Sequence, residues 1–261
     1  MSDDPDFARR FGGVARLYGD TGLQRLQAAH VMVIGLGGVG SWAAEALART
    51  AVGRLTLIDL DMVAESNTNR QIHALGDVYG QAKVSAMAER IVAINPACRV
   101  TCIEDFVTAD NLAALLTADC DAVIDAIDQA RVKVALIAHC RRQKLPLVVA
   151  GAAGGQLDPT QIRLADLSQT TQDPLLAKVR ASLRREHGFP RQGKFGVAAV
   201  YSTEPLRYPT SGQSCPSEPP YASAPAAPQG LNCAGFGSAV CVTSVFGMVA
   251  AGWALNRIVA G

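Results

Sequence analysis

A glycine-rich turn between two short apolar strands constrains the fold of this chain more than any other feature. The run HVMVI precedes the turn and LTLID follows the next helical pattern, and both read as buried strands. Between them, GLGGVG places Gly35, Gly37 and Gly40 in the spacing G-x-G-x-x-G, with Gly38 as an additional glycine. Such a turn lets a phosphate approach the backbone at the start of a helix. The sequence therefore predicts a nucleotide site, the alternative being a turn that only packs a helix onto a sheet.

Polar residues beyond the second strand narrow the class of nucleotide. Asp59 ends LTLID, where an acid that binds a ribose is expected. The glycine turn and this acid fit NAD or FAD as well as ATP. A polar cluster follows, formed by Ser66, Asn67, Asn69, Arg70 and Gln71. Because the arginine guanidinium is a fixed fork of donors suited to phosphate oxygens, the cluster favours an enzyme that acts on a triphosphate.

Two further charged residues are candidates for the same site. Lys83 begins the helical pattern KVSAMAERI and is either a phosphate ligand or an exposed first-turn lysine. Asp128 is placed at the C-terminal end of the apolar strand in DAVIDAID, at the sheet edge where open α/β folds bind ligands. Its carboxylate suits the Mg²⁺ that accompanies ATP, and it also suits the N-cap of a helix starting near Gln129. Asp125, within the strand, is expected to be structural.

These motifs together resemble the E1-like ThiF/MoeB/HesA superfamily of adenylating enzymes. The resemblance covers most of residues 10–155. It rests on GLGGVG, IDLDMVAESNTNRQ, GQAK, INP and the aspartate-rich strand that follows. As a member of that superfamily, the chain would bind ATP with Mg²⁺ and activate a carboxylate by adenylation.

The resemblance also implies roles for individual residues. The ATP-binding set that it implies is Gly35, Gly37, Gly38, Gly40, Asp59, Asp61, Asn67, Asn69, Arg70, Lys83 and Asp128. Within this set Arg70, Lys83 and Asp128 would be catalytic, with Asp128 organising Mg²⁺. A further catalytic arginine would reach the ATP site from the partner subunit of a homodimer. Arg16 fits this role best, and Arg10 competes for it.

Within the superfamily, the chain is most similar to the tRNA threonylcarbamoyladenosine dehydratase group. This resemblance covers nearly the whole chain through RFGGVARLYG, NTNRQIHAL, GGQLDPTQIRLADL, QDPL and VYSTEP. It implies an enzyme that adenylates the carboxylate of N6-threonylcarbamoyladenosine, the modified nucleoside next to a tRNA anticodon. The activated carboxylate is then attacked from within the modification, which closes a ring with net loss of water. The resemblance also implies an association with a cysteine desulfurase or sulfur-acceptor system.

Three other functions compete with this interpretation. One is an adenylyltransferase for a sulfur-carrier or ubiquitin-like protein; many such enzymes hold zinc with two C-x-x-C pairs, and because this sequence has no C-x-x-C, no structural zinc is expected. A second is an NAD-dependent oxidoreductase, which SNTNRQ and Lys83 argue against. The third is a non-catalytic nucleotide-binding scaffold of a sulfur-transfer system.

Composition is that of an ordinary globular protein. A length of 261 residues fits one large α/β domain, and the formal charge of +1 gives no sign of stable DNA binding. A tRNA partner would therefore need a local basic surface. The seven cysteines, an odd number, and an N-terminus without an apolar stretch favour reduced thiols and a cytoplasmic location.

Strand and helix patterns alternate over residues 31–150, which predicts a Rossmann-like, doubly wound α/β fold. Short strands over 162–164 and 195–201 extend it into a mostly parallel, mixed sheet. We expect a single E1-like ATP-binding domain, with a nucleotide-binding core over 10–155 and a C-terminal, substrate-binding extension over 156–261.

The extension contains a basic segment and a candidate mobile loop. Residues 174–194 predict a helix followed by a basic loop, which is either a solvated face or a surface for the phosphate backbone of tRNA. The candidate tRNA-binding residues are Arg184, Arg185, Arg191 and Lys194. Residues 209–230 are rich in proline, serine and alanine, and this composition predicts a mobile loop.

The C-terminal segment is unusually apolar. Residues 233–255 carry no charge and are long enough to span a membrane, yet their glycine, serine and threonine content favours a helix packed in the core. Membrane association is the less favoured alternative. Cys233 is either a nucleophile near the site or a small buried residue.

Overall fold

The computed structural model describes residues 6–116, 119–208 and 236–261 of the chain. The strands are β1 (His30–Ile34), β2 (Arg54–Ile58), β3 (Arg99–Ile103), β4 (Ala122–Asp125), β5 (Leu147–Ala150), β6 (Ile162–Asp166) and β7 (Ala198–Ser202). The helices are α1 (Phe7–Ala28), α2 (Gly40–Arg49), α3 (Lys83–Ile94), α4 (Leu112–Leu115), α5 (Ala130–Gln143), α6 (Pro174–Glu186) and α7 (Val240–Ala260). Three single-turn 3₁₀ helices lie in the connections.

All seven strands form one sheet, in the order β3-β2-β1-β4-β5-β7-β6. Neighbouring strands are parallel except β6 and β7, which pair antiparallel. Strand order reverses between β1 and β4, and in such sheets ligands bind in the crevice beyond the carboxyl ends of the strands at this point. The predicted Rossmann-like, doubly wound, mixed sheet is therefore confirmed.

Helices cover both faces of the sheet, which is why its central strands are apolar on both sides. Along β1, Val31 and Val33 face the layer of α1, α2, α3 and α7. Met32 and Ile34 face the opposite layer of α4, α5 and α6. Successive side chains of a strand point to opposite faces, so a buried parallel strand reads as a continuous apolar run rather than an alternating one.

α7 packs against α1 and α2 at very close range. A Cβ atom on Gly247 would lie 2.4 Å from the carbonyl oxygen of Val39, so only glycine permits this approach of the two helices. Phe246, Ala250 and Ala254 are fully buried. Within the described residues, α7 is also the one helix whose length and apolar composition suffice to cross a membrane, and 44% of its most apolar window is buried.

The structure differs from the sequence-based predictions in three elements. α1 was not predicted, because it buries few side chains and is interrupted at Gly19, where φ is 74° and ψ is 167°. α4 is a single turn, although the apolar pattern favours a helix over 109–116. α7 begins at Val240 rather than at 233 and continues to Ala260. The predicted loop at 209–230 and Cys233 lie outside the described residues.

Candidate active site

The glycine turn after β1 brings the start of α2 close to the end of the strand. Gly35 has a φ of 86°, which L side chains rarely adopt, and its amide donates to the carbonyl oxygen of Ile58 at 2.9 Å. A Cβ atom on Gly40 would lie 1.8 Å from the carbonyl oxygen of Gly35, so glycine is required there. A Cβ atom on Gly37 would meet nothing within 4 Å. The turn is therefore tight on its inner side and open at Gly37, where a phosphate can approach.

The polar loop and α7 close over the same turn. A Cβ atom on Gly38 would lie 3.2 Å from Cγ of Arg70 and 3.3 Å from the side chain of Thr243. The indole nitrogen of Trp42 in α2 donates to the carbonyl oxygen of Arg70 at 3.0 Å. Arg70 is thus held directly beside the glycine turn, as the resemblance implied for a phosphate ligand.

Asp59 follows β2 and presents its carboxylate next to the turn. One oxygen, Oδ2, accepts from the amide of Leu36 at 2.5 Å, and Oδ1 accepts from the amide of Asp61 at 2.9 Å. Burial raises the pKa of Asp59 above its ordinary value, and the charge of Lys83 opposes that shift. The carboxylate is therefore fixed in orientation by two backbone amides, at the place expected for a ribose-binding acid.

Lys83 is a buried lysine with an exposed partner. Its Nζ lies 2.7 Å from Oδ2 of Asp61, and its amide donates to the carbonyl oxygen of Asp61 at 3.0 Å. Lys83 is 5% exposed, so the alternative of a solvated first-turn lysine is wrong. The ammonium group has lost most of its water while still facing the site, which makes it a strong partner for an incoming anion.

The asparagines of the polar loop hold its shape. Asn67 is buried, and its Oδ1 accepts from the backbone amide three residues earlier at 3.1 Å. Asn69 donates to the carbonyl oxygen of Ser238 at 3.0 Å and accepts from Nη1 of Arg70 at 2.9 Å. Burial lowers the pKa of Arg70. The loop thus orients a partly desolvated guanidinium and joins it to the segment that enters α7.

Asp128 lies beyond the strand rather than at its end. β4 ends at Asp125, and the N-cap of α5 is Gln129, so the interpretation of Asp128 as that cap is wrong. The two intervening residues contact the turn: a Cβ atom on Gly35 would lie 3.1 Å from the backbone of Ala126 and 3.3 Å from that of Ile127. Asp128, half-buried, is the next residue along this segment.

This placement fits a magnesium ion bound together with ATP. Mg²⁺ is commonly held by one or two carboxylates and the phosphates of the nucleotide, and it keeps several waters. Asp128 would supply the carboxylate. Over the ranges that the structure describes, no group of three or more acidic, histidine or cysteine side chains could hold a metal ion by itself.

A buried ion pair behind Asp128 was not predicted. Nζ of Lys133 lies 2.8 Å from Oδ2 of Asp125, and both side chains are fully buried. Asp125 also accepts from the amide of Ile127 at 3.0 Å, which fixes the start of the segment that leads to Asp128. Asp125 is structural, as expected. Its partner was missed, although a lysine among the apolar positions of the α5 pattern was a signal.

His73 is a second residue that sequence reasoning missed. The ring is 2% exposed, and neither ring nitrogen has a hydrogen-bond partner among the described residues. Burial, with the charges of Lys83 and Arg90, lowers the pKa of His73 to about 4. The imidazole is therefore neutral at physiological pH and adds no charge beside Lys83. Its sequence signal was its position two residues after the polar cluster.

The two N-terminal arginines differ in their contacts. Nη1 of Arg10 donates to the carbonyl oxygens of Ala93 and Ile94, at 3.0 and 2.8 Å, and so caps the end of α3 in its own chain. Arg16 is exposed on α1, and its guanidinium lies beside Gly12. Arg16 therefore remains the better candidate for reaching a partner subunit.

The candidate tRNA-binding residues lie at the sheet edge opposite the glycine turn. α6 runs antiparallel to the central strands, so Arg184 and Arg185 near its end are about 15 Å from its start. The guanidinium of Arg184 lies over the ring of Phe195 at 5.1 Å. Arg185 pairs with Glu186. Arg191 and Lys194 are exposed in the loop that follows. This surface is separate from the candidate ATP site.

The structure thus brings a buried lysine, an oriented arginine and two acids to the surroundings of an open glycine turn, the arrangement that the resemblance to adenylating enzymes implied. Residues 10–260 match the ThiF family. The chain belongs to the ThiF family.

Relatives with full-length similarity share one described activity. The chain is 54% identical to a tRNA threonylcarbamoyladenosine dehydratase of Escherichia coli (strain K12), over 97% of this chain and 94% of the relative. It is 45% identical to the protein of that name from Haemophilus influenzae, over 99% and 96% of the two chains.

Solved structures agree with the sequence comparison. The crystal structure of E. coli tRNA N6-threonylcarbamoyladenosine dehydratase, TcdA, in complex with ATP superposes with a TM-score of 0.86 at 51% identity. The match covers 100% of this chain and 98% of that one. The AMP complex of the same protein gives the same values.

Proposed function

We propose that this protein is an ATP-dependent tRNA threonylcarbamoyladenosine dehydratase. The main support for this proposal is that the identity of 54% with the E. coli dehydratase extends over 97% of the chain and thus includes the C-terminal extension. Half-length similarity would support only an ATP-binding core, which several adenylating enzymes share. The site geometry supports the first chemical step, and the full-length similarity supports the substrate.

The reaction begins with adenylation of the carboxylate. A carboxylate oxygen of the threonylcarbamoyl group attacks the α-phosphorus of ATP, the bond to the β-phosphate oxygen breaks, and pyrophosphate leaves. Charge on the triphosphate is neutralised by Lys83, which is buried, and by Arg70, which is partly desolvated. Asp59 accepts hydrogen bonds from the ribose and fixes the α-phosphorus in line. Most of the rate enhancement then comes from positioning and preorganised charge.

Ring closure completes the dehydration. A nucleophile within the same modification attacks the acyl carbon of the adenylate, and AMP leaves with the carboxylate oxygen. The net change in the nucleoside is the loss of one water. No thiol is needed, because the leaving group is already activated. Mg²⁺ bound with ATP at Asp128 would shield the phosphate charge.

Assembly and partners extend the proposal. The protein acts as a homodimer in which Arg16 of each chain contributes to the ATP site of the other. The tRNA backbone contacts Arg184, Arg185, Arg191 and Lys194. The protein works in the cytoplasm, where it cooperates with a cysteine desulfurase or sulfur-acceptor system. What supports the arginine assignments is their exposure.

The experiment that tests the function compares three substrates. AMP release is measured with tRNA that carries N6-threonylcarbamoyladenosine, with a sulfur-carrier protein, and in the presence of NAD alone. We expect AMP only with the modified tRNA. AMP released with the carrier protein instead would replace the proposal with the adenylyltransferase alternative. The Asp128→Ala protein should fold normally and release no AMP, and retained activity would remove the role of Asp128.

A further inference from the structure

A cleft of about 450 Å³ lies beyond the carboxyl ends of β5 and β7. The glycine turn lies at the same edge of the sheet, beyond the carboxyl end of β1. The walls of the cleft come from the start of α6 and from the segment that follows β7. Its lining includes Asp173, Pro174, Arg180, Pro205, Leu206 and Tyr208. The cleft is distinct from the basic surface at the far end of α6.

A buried contact fixes the wall of this cleft to the carboxyl end of β5, the strand next to β4. Asp173 lies in that wall and accepts from the amide of Ala152, just after β5, at 2.9 Å. Burial raises the pKa of Asp173, and the amides of Leu176 and Ala152, together with the charge of Lys133, oppose that shift. Lys133 in turn pairs with Asp125 at the end of β4. Because β5 and β7 are the next two strands after β4 in the sheet, the cleft beyond their ends lies about 5 to 10 Å from the end of β4.

Arg180 supplies the cation of the cleft. One of its guanidinium nitrogens donates to the hydroxyl of Thr170, which fixes the head group. Burial lowers the pKa of Arg180, and the charge of Arg184, one turn further along α6, adds to the effect. The charge of Asp173, in the same wall, opposes this shift in part. An anion bound at Arg180 would add to that compensation of the burial and of the neighbouring positive charge.

The opposite wall offers an aromatic surface. The side chain of Tyr208 is 74% exposed, and its ring packs against Phe236 with 5.2 Å between centroids. Pro174, Pro205 and Leu206 add apolar surface. An exposed aromatic ring beside a fixed arginine is a combination by which proteins bind an unstacked base and the phosphate attached to it.

The same helix leads from the cleft to the basic surface. Arg180 and Arg184 are four residues apart and so lie on one face of α6, about 6 Å apart along its axis. Arg184 belongs to the surface assigned above to the tRNA backbone. A strand of RNA that follows this face would place a nucleotide at the cleft while its neighbours contact the basic end of the helix.

We propose that this cleft is the subsite for the modified nucleotide, with the base stacked on Tyr208 and its phosphate bound by Arg180. The assignment rests on the proposed function and specifies where its substrate lies. The threonylcarbamoyl group then extends from the base toward Asp128 and the bound ATP. Arg180 and Tyr208 are positioning and specificity residues, because the reacting atoms lie two strands away.

The test measures equilibrium binding of two anticodon stem-loops, one with and one without the threonylcarbamoyl group. The wild-type protein should prefer the modified RNA. Tyr208→Ala should weaken binding of the modified RNA about tenfold or more, and Arg180→Gln should weaken both RNAs. Tyr208→Phe should restore binding, and ATP affinity should stay unchanged in every variant. Arg257→Gln, which removes an exposed positive charge on α7, is the matched control.

Two results would overturn the proposal. One is an unchanged affinity of the Tyr208→Ala protein for the modified RNA. This variant alters only an exposed side chain, so it should fold even if Arg180→Gln does not. The other is a wild-type protein that binds both stem-loops equally. Failure of the proposed function looks different: a preference for the modified RNA that depends on Tyr208, with no AMP released from ATP, would keep the subsite and reject the chemistry.

Discussion

Nζ of Lys83 lies 2.7 Å from the carboxylate of Asp61, with the lysine buried and the aspartate exposed. This asymmetry matters because water already solvates the aspartate, whereas the ammonium group depends on its partner. When a polyphosphate enters, the aspartate can be released to solvent while Lys83 exchanges one anionic partner for another. The ion pair thus keeps a desolvated cation in place beside the glycine turn before ATP binds.

Lys83→Met should remove this cation with little effect on folding, because the remaining Asp61 carboxylate is solvated. We expect the rate of AMP formation to fall about 100-fold or more, the usual cost of losing one preorganised charge at a transition state. The measurement is steady-state AMP release, together with thermal unfolding to show that the fold persists. Lys178→Met, at an exposed lysine of α6, should behave as wild type. Equal activity of the two variants would contradict the assignment.

Gly247→Ala should disturb both stability and ATP binding. The added methyl group would lie 2.4 Å from the carbonyl oxygen of Val39, within the glycine turn. Such overpacking typically costs 1–3 kcal/mol, and here we expect about 2 kcal/mol with a raised KM for ATP. Gly252→Ala is the matched control on the same helix, because a Cβ atom there meets nothing within 4 Å. It should be neutral or stabilising. The prediction fails if both variants unfold at the same temperature.

The lowered pKa of His73 predicts that the folded protein loses stability in mild acid. Its pKa falls from 6.5 to about 4 in the folded protein, so the unfolded chain binds the proton more readily. The stabilising contribution of neutral His73 is complete above pH 6.5 and is lost progressively as pH falls toward 4. Near pH 5 the loss should be about 2 kcal/mol.

Urea unfolding near pH 5 and near pH 7.5 measures this loss. His73→Leu should lose less stability between the two conditions than the wild-type protein does. His187→Leu, at an exposed histidine, serves as the control and should lose as much as wild type. Identical pH dependence in all three proteins would show that His73 is not held neutral by burial.

Charge reversal at Arg184 and Arg185 tests the basic surface at the end of α6. Replacing both arginines by glutamate should weaken tRNA binding. The loss should be most visible at low salt, because contacts with phosphates are driven by the release of counterions. ATP binding should not change, because this surface lies at the other edge of the sheet. Arg257→Glu controls for the general change in charge. Unchanged tRNA affinity of the double variant would show that this surface does not bind tRNA.

Much of the fold was predictable because it depends on local patterns. The apolar runs at β1 and β2 and the glycine spacing between them specify a strand, a turn and a helix without reference to the rest of the chain. Asp59, Arg70 and Lys83 could be named as candidates because each lies at a short distance in sequence from those elements, and their binding of ATP stays a prediction. The alternation of strands and helices then sets the doubly wound order.

Other features depend on contacts that only the folded chain provides. Lys133 and Asp125 come together because the start of α5 packs against the end of β4, a relationship without a local signature. The burial of Lys83 depends on how the loop after β2 folds over α3. Arg184 lies far from the ATP site because α6 runs antiparallel to the central strands. Tyr208 follows β7 and Arg180 lies in α6. The two residues line one cleft because β5 and β7 are neighbours in the sheet.

Whether this protein dehydrates the modified nucleoside is decided by the mass of that nucleoside after incubation of tRNA with the protein and ATP. We expect N6-threonylcarbamoyladenosine to lose the mass of one water, in proportion to the AMP formed, and neither change to occur without ATP or with the Asp128→Ala protein. AMP formation with an unchanged nucleoside mass, or loss of water without ATP, would contradict the proposed function.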